Sequence, residues 1–134
     1  MTDAPKKVLL VDDDVDFLEA NRVALEAAGF QVLTATDSRQ GVELARSARP
    51  DLIIMDLMIE QLYAGFSAVE ALHAHKETAD IPIIMVSGVT TETGFRIDQG
   101  GKKPEWLKVV DFVNKPVDPV ELAKKVAAAL GAQK

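Results

Sequence analysis

Leu52-Ile53-Ile54-Met55 constrains the fold more than any other stretch. It is apolar throughout, with no alternation of apolar and polar residues. That is the pattern of a strand buried on both faces, so covering layers are needed above and below it. The run ends abruptly in Asp56, preceded at a distance by Pro50. A carboxylate at the end of a buried strand is costly to desolvate unless something nearby uses it.

Similar runs recur along the chain. Lys7 to Val11 comes first, then Gln31 to Ala35, the central run, Ile81 to Val86, and Val109 to Asn114. Pro82 sits at the start of its run, where a missing donor does least harm. Helical patterns fill the gaps. Asp14 is placed to cap a helix over Val15 to Ala28, with Leu18 and Leu25 on its apolar face and Gly29 closing it. Asp37 or Ser38 caps a second helix carrying Val42, Leu44 and Ala45. A loop containing Gly65 leads into a third, Phe66 to Glu77, with Ala68, Val69 and Leu72 inward. Asp118-Pro119-Val120-Glu121 combines an N-cap, Pro at the first helical position and Glu at the third. It predicts a last helix reaching about Leu130, stopped by Gly131. Five alternations of strand and helix imply a doubly wound parallel sheet with helices on both faces. Right-handed crossovers then bring every strand C-terminus to one edge, where open α/β sheets bind ligands.

Composition removes several functions. There is no cysteine among the 134 residues, which excludes disulfide and thiolate chemistry. The net charge of −6 is unevenly spread: residues 1–100 sum to −9 and residues 101–134 to +3. An acidic chain repels phosphates, so direct nucleic-acid binding is not expected. No apolar stretch is long enough to span a membrane and no signal peptide is visible, so a cytoplasmic protein with no membrane partner is expected. Residues 1–134 read as one domain with no output domain attached.

The strand ends carry the chemistry. Asp12 and Asp13 follow the first strand, Asp56 the third, Ser87 the fourth and Lys115 the fifth. Three carboxylates together repel one another unless a cation neutralises them, and all-oxygen ligation suits Mg²⁺. A lysine and a hydroxyl beside that ion suit a tetrahedral phosphoryl group, with Asp56 as a nucleophile that forms an acyl phosphate.

These residues resemble the receiver domains of two-component response regulators. The resemblance rests on the acidic pair in Val-Asp12-Asp13-Asp14, on Asp56 in Pro-Asp-Leu-Ile-Ile-Met-Asp, on Ser87-Gly88 after Ile-Pro-Ile-Ile-Met-Val, and on Lys115-Pro116 before a final helix. It covers essentially the whole chain. It implies a flavodoxin-like sheet of order 2-1-3-4-5 and a stand-alone receiver. It further implies that Asp56 takes phosphate from a histidine kinase or histidine phosphotransfer protein and signals to a downstream protein. Asp13, Asp56 and the backbone carbonyl of Met58 would ligate Mg²⁺, with Asp12 acting through a bound water. Lys115 would contact the phosphoryl group. Ser87 would swing toward it and Phe112 would turn inward, switching the surface around the family's fourth helix and the fifth strand. Such a protein is not a turnover enzyme and at most dephosphorylates itself slowly. Either a monomer or a phosphorylation-promoted dimer is compatible with the resemblance.

Two departures from the family stand out. Glu60 occupies the place of a proline usually found after the phosphorylated aspartate, and Gly65 comes one residue late. Ser87 and Lys115 are 28 positions apart, several more than usual, and the surplus falls in Gly94 to Lys108. The fourth helix of the family is therefore expected to be irregular here. Asp14 is read as a helix cap rather than a ligand. Asp12, Asp14 and Asp16 imitate a calcium loop, but Phe17 and Val23 stand where it needs Gly and Glu. An enzyme alternative is a haloacid-dehalogenase-like phosphatase with Asp12 as nucleophile. It leaves Asp56 unexplained and lacks a late acidic pair. A third possibility is a phosphate-independent interaction module that keeps only the fold.

Overall fold

The computed structural model describes residues 6–56, 64–87, 111–114 and 117–131. Among the described residues the elements are, in order, β1 (Lys7–Val11), α1 (Val15–Ala27), β2 (Gln31–Ala35), α2 (Ser38–Ala48), β3 (Leu52–Asp56), α3 (Ala64–Ala74), β4 (Ile83–Ser87), β5 (Asp111–Asn114) and a C-terminal helix (Pro119–Gly131). The strands form a five-stranded parallel sheet in the order β2-β1-β3-β4-β5, as expected.

The unalternating runs are explained by burial on two sides. Leu9, Val11, Ile53, Met55, Ile83 and Met85 point into one core with Ala45 of α2 and Val69 and Leu72 of α3. Their sequence neighbours Val8, Leu10, Leu52, Ile54, Ile84 and Val86 point into the other, with Leu18 and Leu25 of α1 and Leu122, Val126 and Leu130 of the C-terminal helix. Period two along each strand thus feeds two cores. At about 1.5–3 kcal/mol for each large side chain fully removed from water, this burial dominates the stabilising side of folding.

The caps follow the sequence closely. Asp14 accepts from the N–H groups of Asp16 and Phe17 at 3.0 and 3.3 Å. Asp37 accepts from Gln40 N–H at 2.7 Å, and Asp118 from Val120 N–H at 2.9 Å. Boundaries differ in two helices. Helix α3 begins at Ala64 and ends at Ala74, so Gly65 lies inside it and the last three residues expected of it do not. Thr78, fully buried, ends that helix: its hydroxyl donates to the Leu72 carbonyl at 2.5 Å, satisfying an acceptor the last turn leaves open. Gly131 closes the C-terminal helix from inside. The expected irregular stretch between the fourth and fifth strands falls outside the described residues.

Arg46 of α2 donates to Glu77 at 2.8 Å, tying α2 to the turn after α3. That hydrogen bond holds the Glu77 carboxyl below its usual range. The folded-state pKa is the lower one. The contribution is therefore present above the ordinary carboxylate pKa and is lost as pH falls through the folded value.

Asn21 breaks the apolar pattern of α1. It is 2% exposed, one turn after Leu18 and one turn before Leu25. Its amide donates to the Phe17 carbonyl at 2.8 Å, while its side-chain oxygen is buried without a hydrogen bond. An unsatisfied buried acceptor costs about 1–3 kcal/mol. Asn21→Leu is expected to raise stability by roughly 1 kcal/mol in urea unfolding. A loss of stability would show that the oxygen is satisfied in solution.

Candidate functional site

The register of the sheet builds the site. Val11 of β1 pairs with Met55 of β3, so the next residues, Asp12 and Asp56, leave the sheet side by side. Asp56 in turn is level with Val86 of β4. Asp12 is held from two directions. Its N–H donates to the Ala35 carbonyl at 3.1 Å, prolonging the β1–β2 ladder by one step. Its carboxylate accepts from Asp14 N–H at 2.8 Å. Asp14 is committed to capping α1, as expected of it.

Asp12 and Asp56 are buried, at 2% and 4% exposure, and Asp13 is exposed. One carboxylate oxygen from each of the three lies within 4.8 Å of the other two. Ligand oxygens around an octahedral ion with bonds of about 2.1 Å sit about 3 Å apart when adjacent and about 4.2 Å apart when opposite. Carboxylate oxygens gathered within 4.8 Å of one another are close enough to share one such ion. Its donors are all hard oxygens with no nitrogen or sulfur, which fits Mg²⁺ and not zinc. One face stays open at Asp13, leaving room for water or a phosphoryl oxygen.

Ser87 is the last residue of β4 and pairs with Asn114 of β5, so its backbone sits on the same sheet edge as Asp56. Phe112 lies in β5 opposite Met85. The side chains of Ser87 and Phe112, and Lys115, Met58 and Glu60 entirely, lie outside the described residues. Lys115 follows Asn114 directly in the sequence.

Sequence reasoning passed over Gly41. It lies in the middle of α2, and a Cβ built there would meet the two methyls of Val11 at 2.8 and 2.9 Å. Gly41 lets α2 approach β1 just before Asp12. The available signal was an isolated glycine inside a helical pattern.

The two readings of Asp14 separate experimentally. As a cap, Asp14→Ala should cost roughly 1 kcal/mol of stability. Mg²⁺ affinity, measured by calorimetry, should stay within a few-fold of the parent. A loss of affinity beyond tenfold would make it a ligand.

Residues 8–127 match the family model described as the response regulator receiver domain. Among curated proteins, the chain is 36% identical over 124 residues to Protein PilH of Pseudomonas aeruginosa, covering 92% of this chain and 97% of PilH. It is 32% identical over 126 residues to the DNA-binding dual master transcriptional regulator RpaA of Synechocystis, covering 92% of this chain but only 48% of RpaA. The chain therefore spans about half the length of that relative. Among solved structures, it superposes on the receiver domain of a sensor histidine kinase from Pseudomonas aeruginosa with a TM-score of 0.79 and 25% identity, over 96% of this chain and 99% of that one. That structure has a magnesium ion coordinated in its active-site cleft.

Proposed function

This chain belongs to the response regulator receiver family and is a phospho-accepting signalling module, and on that premise we propose that Asp56 is its phosphoacceptor, served by Mg²⁺. The observation that carries the assignment is the cluster itself. Asp56 ends the central strand beside a second buried carboxylate and an exposed third, all within 4.8 Å. Of the three, Asp56 alone is itself the last residue of a strand, β3, whereas Asp12 and Asp13 follow the end of β1.

Asp13, Asp56 and the Met58 carbonyl would hold the ion, and Asp12 would act through a water. When bound, Mg²⁺ neutralises the carboxylates and the oxygens of an incoming phosphoryl group. An Asp56 oxygen attacks the phosphorus of a phosphohistidine, the P–N bond breaks, and the imidazole leaves with its electron pair. The product is an acyl phosphate on Asp56. Lys115 places a positive charge against the phosphoryl oxygens and Ser87 donates to one of them. Their positions support this: Ser87 ends the neighbouring strand and Lys115 follows β5. Phe112, opposite Met85, would then repack. The change would reach the surface beside β5 and the family's fourth helix, biasing a two-state equilibrium that a downstream protein reads. Water reaching the acyl phosphate returns the protein slowly to its resting state.

The donor would be a histidine kinase or a histidine phosphotransfer protein in the cytoplasm. No described helix is long and apolar enough to cross a membrane. The continuous sheet and the family match over residues 8–127 support reading the chain as a single receiver domain.

Beryllofluoride, a phosphoryl mimic that needs both Mg²⁺ and the acceptor carboxylate, tests this. Amide shifts around Asp56 should move only when all components are present, and Asp56→Asn should remove the response. Unchanged spectra in the parent protein would overturn the assignment.

A further inference from the structure

The mouth of the carboxylate cluster is more negative than the chemistry inside it requires. The cluster opens at Asp13, which is exposed, and α1 begins just beyond it. Asp14 and Asp16 flank the start of that helix, and both are exposed. A short chain of hydrogen bonds ties them to the site. Asp14 N–H donates to the Asp12 carboxylate at 2.8 Å, and Asp16 N–H donates to the Asp14 carboxylate at 3.0 Å. Links of that length put both carboxylates about 10 Å or less from Asp12. A bound Mg²⁺ and Lys115 would balance the three clustered carboxylates charge for charge. Nothing comparable balances the other two. Among the described residues neither Asp14 nor Asp16 has a cationic partner. The first cation along α1 is Arg22, and Glu19 and Glu26 already hold it.

Resting on the assignment of Asp56 as acceptor, we propose that Asp14 and Asp16 form an electrostatic filter. They slow phosphoryl transfer from small anionic donors such as acyl phosphates. Asp56 is thereby reserved for a protein donor whose phosphohistidine lies among basic side chains. The two aspartates act by their field and not as ligands. A protein donor offsets that field with its own cations, as complementary interfaces do. A small acyl phosphate cannot. Its transfer is otherwise the same: an Asp56 oxygen bonds to phosphorus, the acyl P–O bond breaks, and the carboxylate leaves with the electron pair.

The expected size follows from charge and distance. Acetyl phosphate is a dianion at neutral pH. At about 10 Å in water, and an ionic strength of about 0.03 M, each carboxylate lowers its rate of productive encounter by about twofold. Reversing one of the two charges doubles the exponent and gives about fivefold. The same field attracts Mg²⁺, which carries the same charge with the opposite sign. The filter therefore strengthens metal binding by the factor with which it slows the donor.

Intact-mass kinetics with acetyl phosphate at saturating Mg²⁺, paired with Mg²⁺ calorimetry, test this. Asp16→Lys should raise the acetyl phosphate rate about fivefold and lower Mg²⁺ affinity about fivefold. Damage to the fold would lower both. Asp16→Asn disturbs the helix end less and should give changes of about twofold in the same two directions. Phosphoramidate carries one negative charge fewer, so Asp16→Lys should speed it only about twofold. Salt at about 0.5 M should erase most of each gain. Asp80→Lys makes the same charge change in the exposed turn before β4, at the opposite edge of the sheet, and should alter neither rate nor affinity. An unchanged acetyl phosphate rate in Asp16→Lys, equal gains with both donors, or a gain that survives salt overturns the filter and leaves Asp56 as acceptor. A parent protein that takes a phosphoryl group from neither donor overturns the acceptor assignment and the filter with it.

Discussion

Asp56→Asn is expected to make the metal-free protein more stable while abolishing its response to Mg²⁺ and to phosphodonors. Three carboxylate oxygens lie within 4.8 Å of one another, two of them on buried residues. Like charges at such a separation oppose each other by a few kcal/mol at an effective dielectric constant of about 20. The near-isosteric amide removes one charge and leaves the packing intact. The expected gain is roughly 1–2 kcal/mol, or about 3–8 °C in melting temperature for a chain of this size. Mg²⁺ acts unequally on the two proteins. At ten times its dissociation constant it should stabilise the parent by about 1.4 kcal/mol by mass action alone, and the variant hardly at all. Thermal melts with EDTA and with Mg²⁺ read both effects. A variant less stable than the parent without metal would mean that the Asp56 carboxylate stabilises the fold and the cluster is not under strain.

Gly41→Val should be the most damaging single change away from that cluster. The first added carbon already falls 2.8 Å from one Val11 methyl and 2.9 Å from the other. Val11 cannot yield easily: it is β-branched, 1% exposed and held in β1 between two neighbouring strands. Overpacking costs of 1–3 kcal/mol per site apply, and the larger side chain adds to them. The expected loss is roughly 3 kcal/mol for valine and about 1–2 kcal/mol for alanine, which recovers some helix propensity. The displacement acts on the residue before Asp12, so Mg²⁺ affinity should fall as well. Val11→Ala combined with Gly41→Ala makes room for the added methyl and should recover part of the loss. If Gly41→Ala alone is neutral in urea unfolding, α2 does not pack as closely on β1 as described.

Much of this was legible in the residues. The strands were readable because burial on both faces leaves no alternation, and the order of the sheet followed from the family that the strand-end residues resemble. Asp14, Asp37 and Asp118 were readable as caps because capping is local: an aspartate accepts from N–H groups two or three residues ahead. The carboxylate cluster was readable because parallel strands deliver their ends to one edge. What stayed hidden depends on contacts between distant segments. Gly41 is required by Val11, thirty positions earlier, and nothing near it in the sequence says so. The end of α3 is set by Thr78 reaching back to Leu72, which the apolar pattern to Glu77 obscured. Arg49 caps α2 in the left-handed region, at φ 51°, where glycine would be the usual choice.

Phosphotransfer followed by peptide mapping tests the central claim most directly. Acetyl phosphate or a phosphorylated histidine protein, supplied with Mg²⁺, should add one phosphoryl group to the intact chain. After reductive trapping of the acyl phosphate, the label should lie on Asp56, and EDTA or Asp56→Asn should prevent it. A label on Asp12, or turnover of a phosphate ester that survives loss of Asp56, would contradict the account. So would a chain that takes up no phosphoryl group at all.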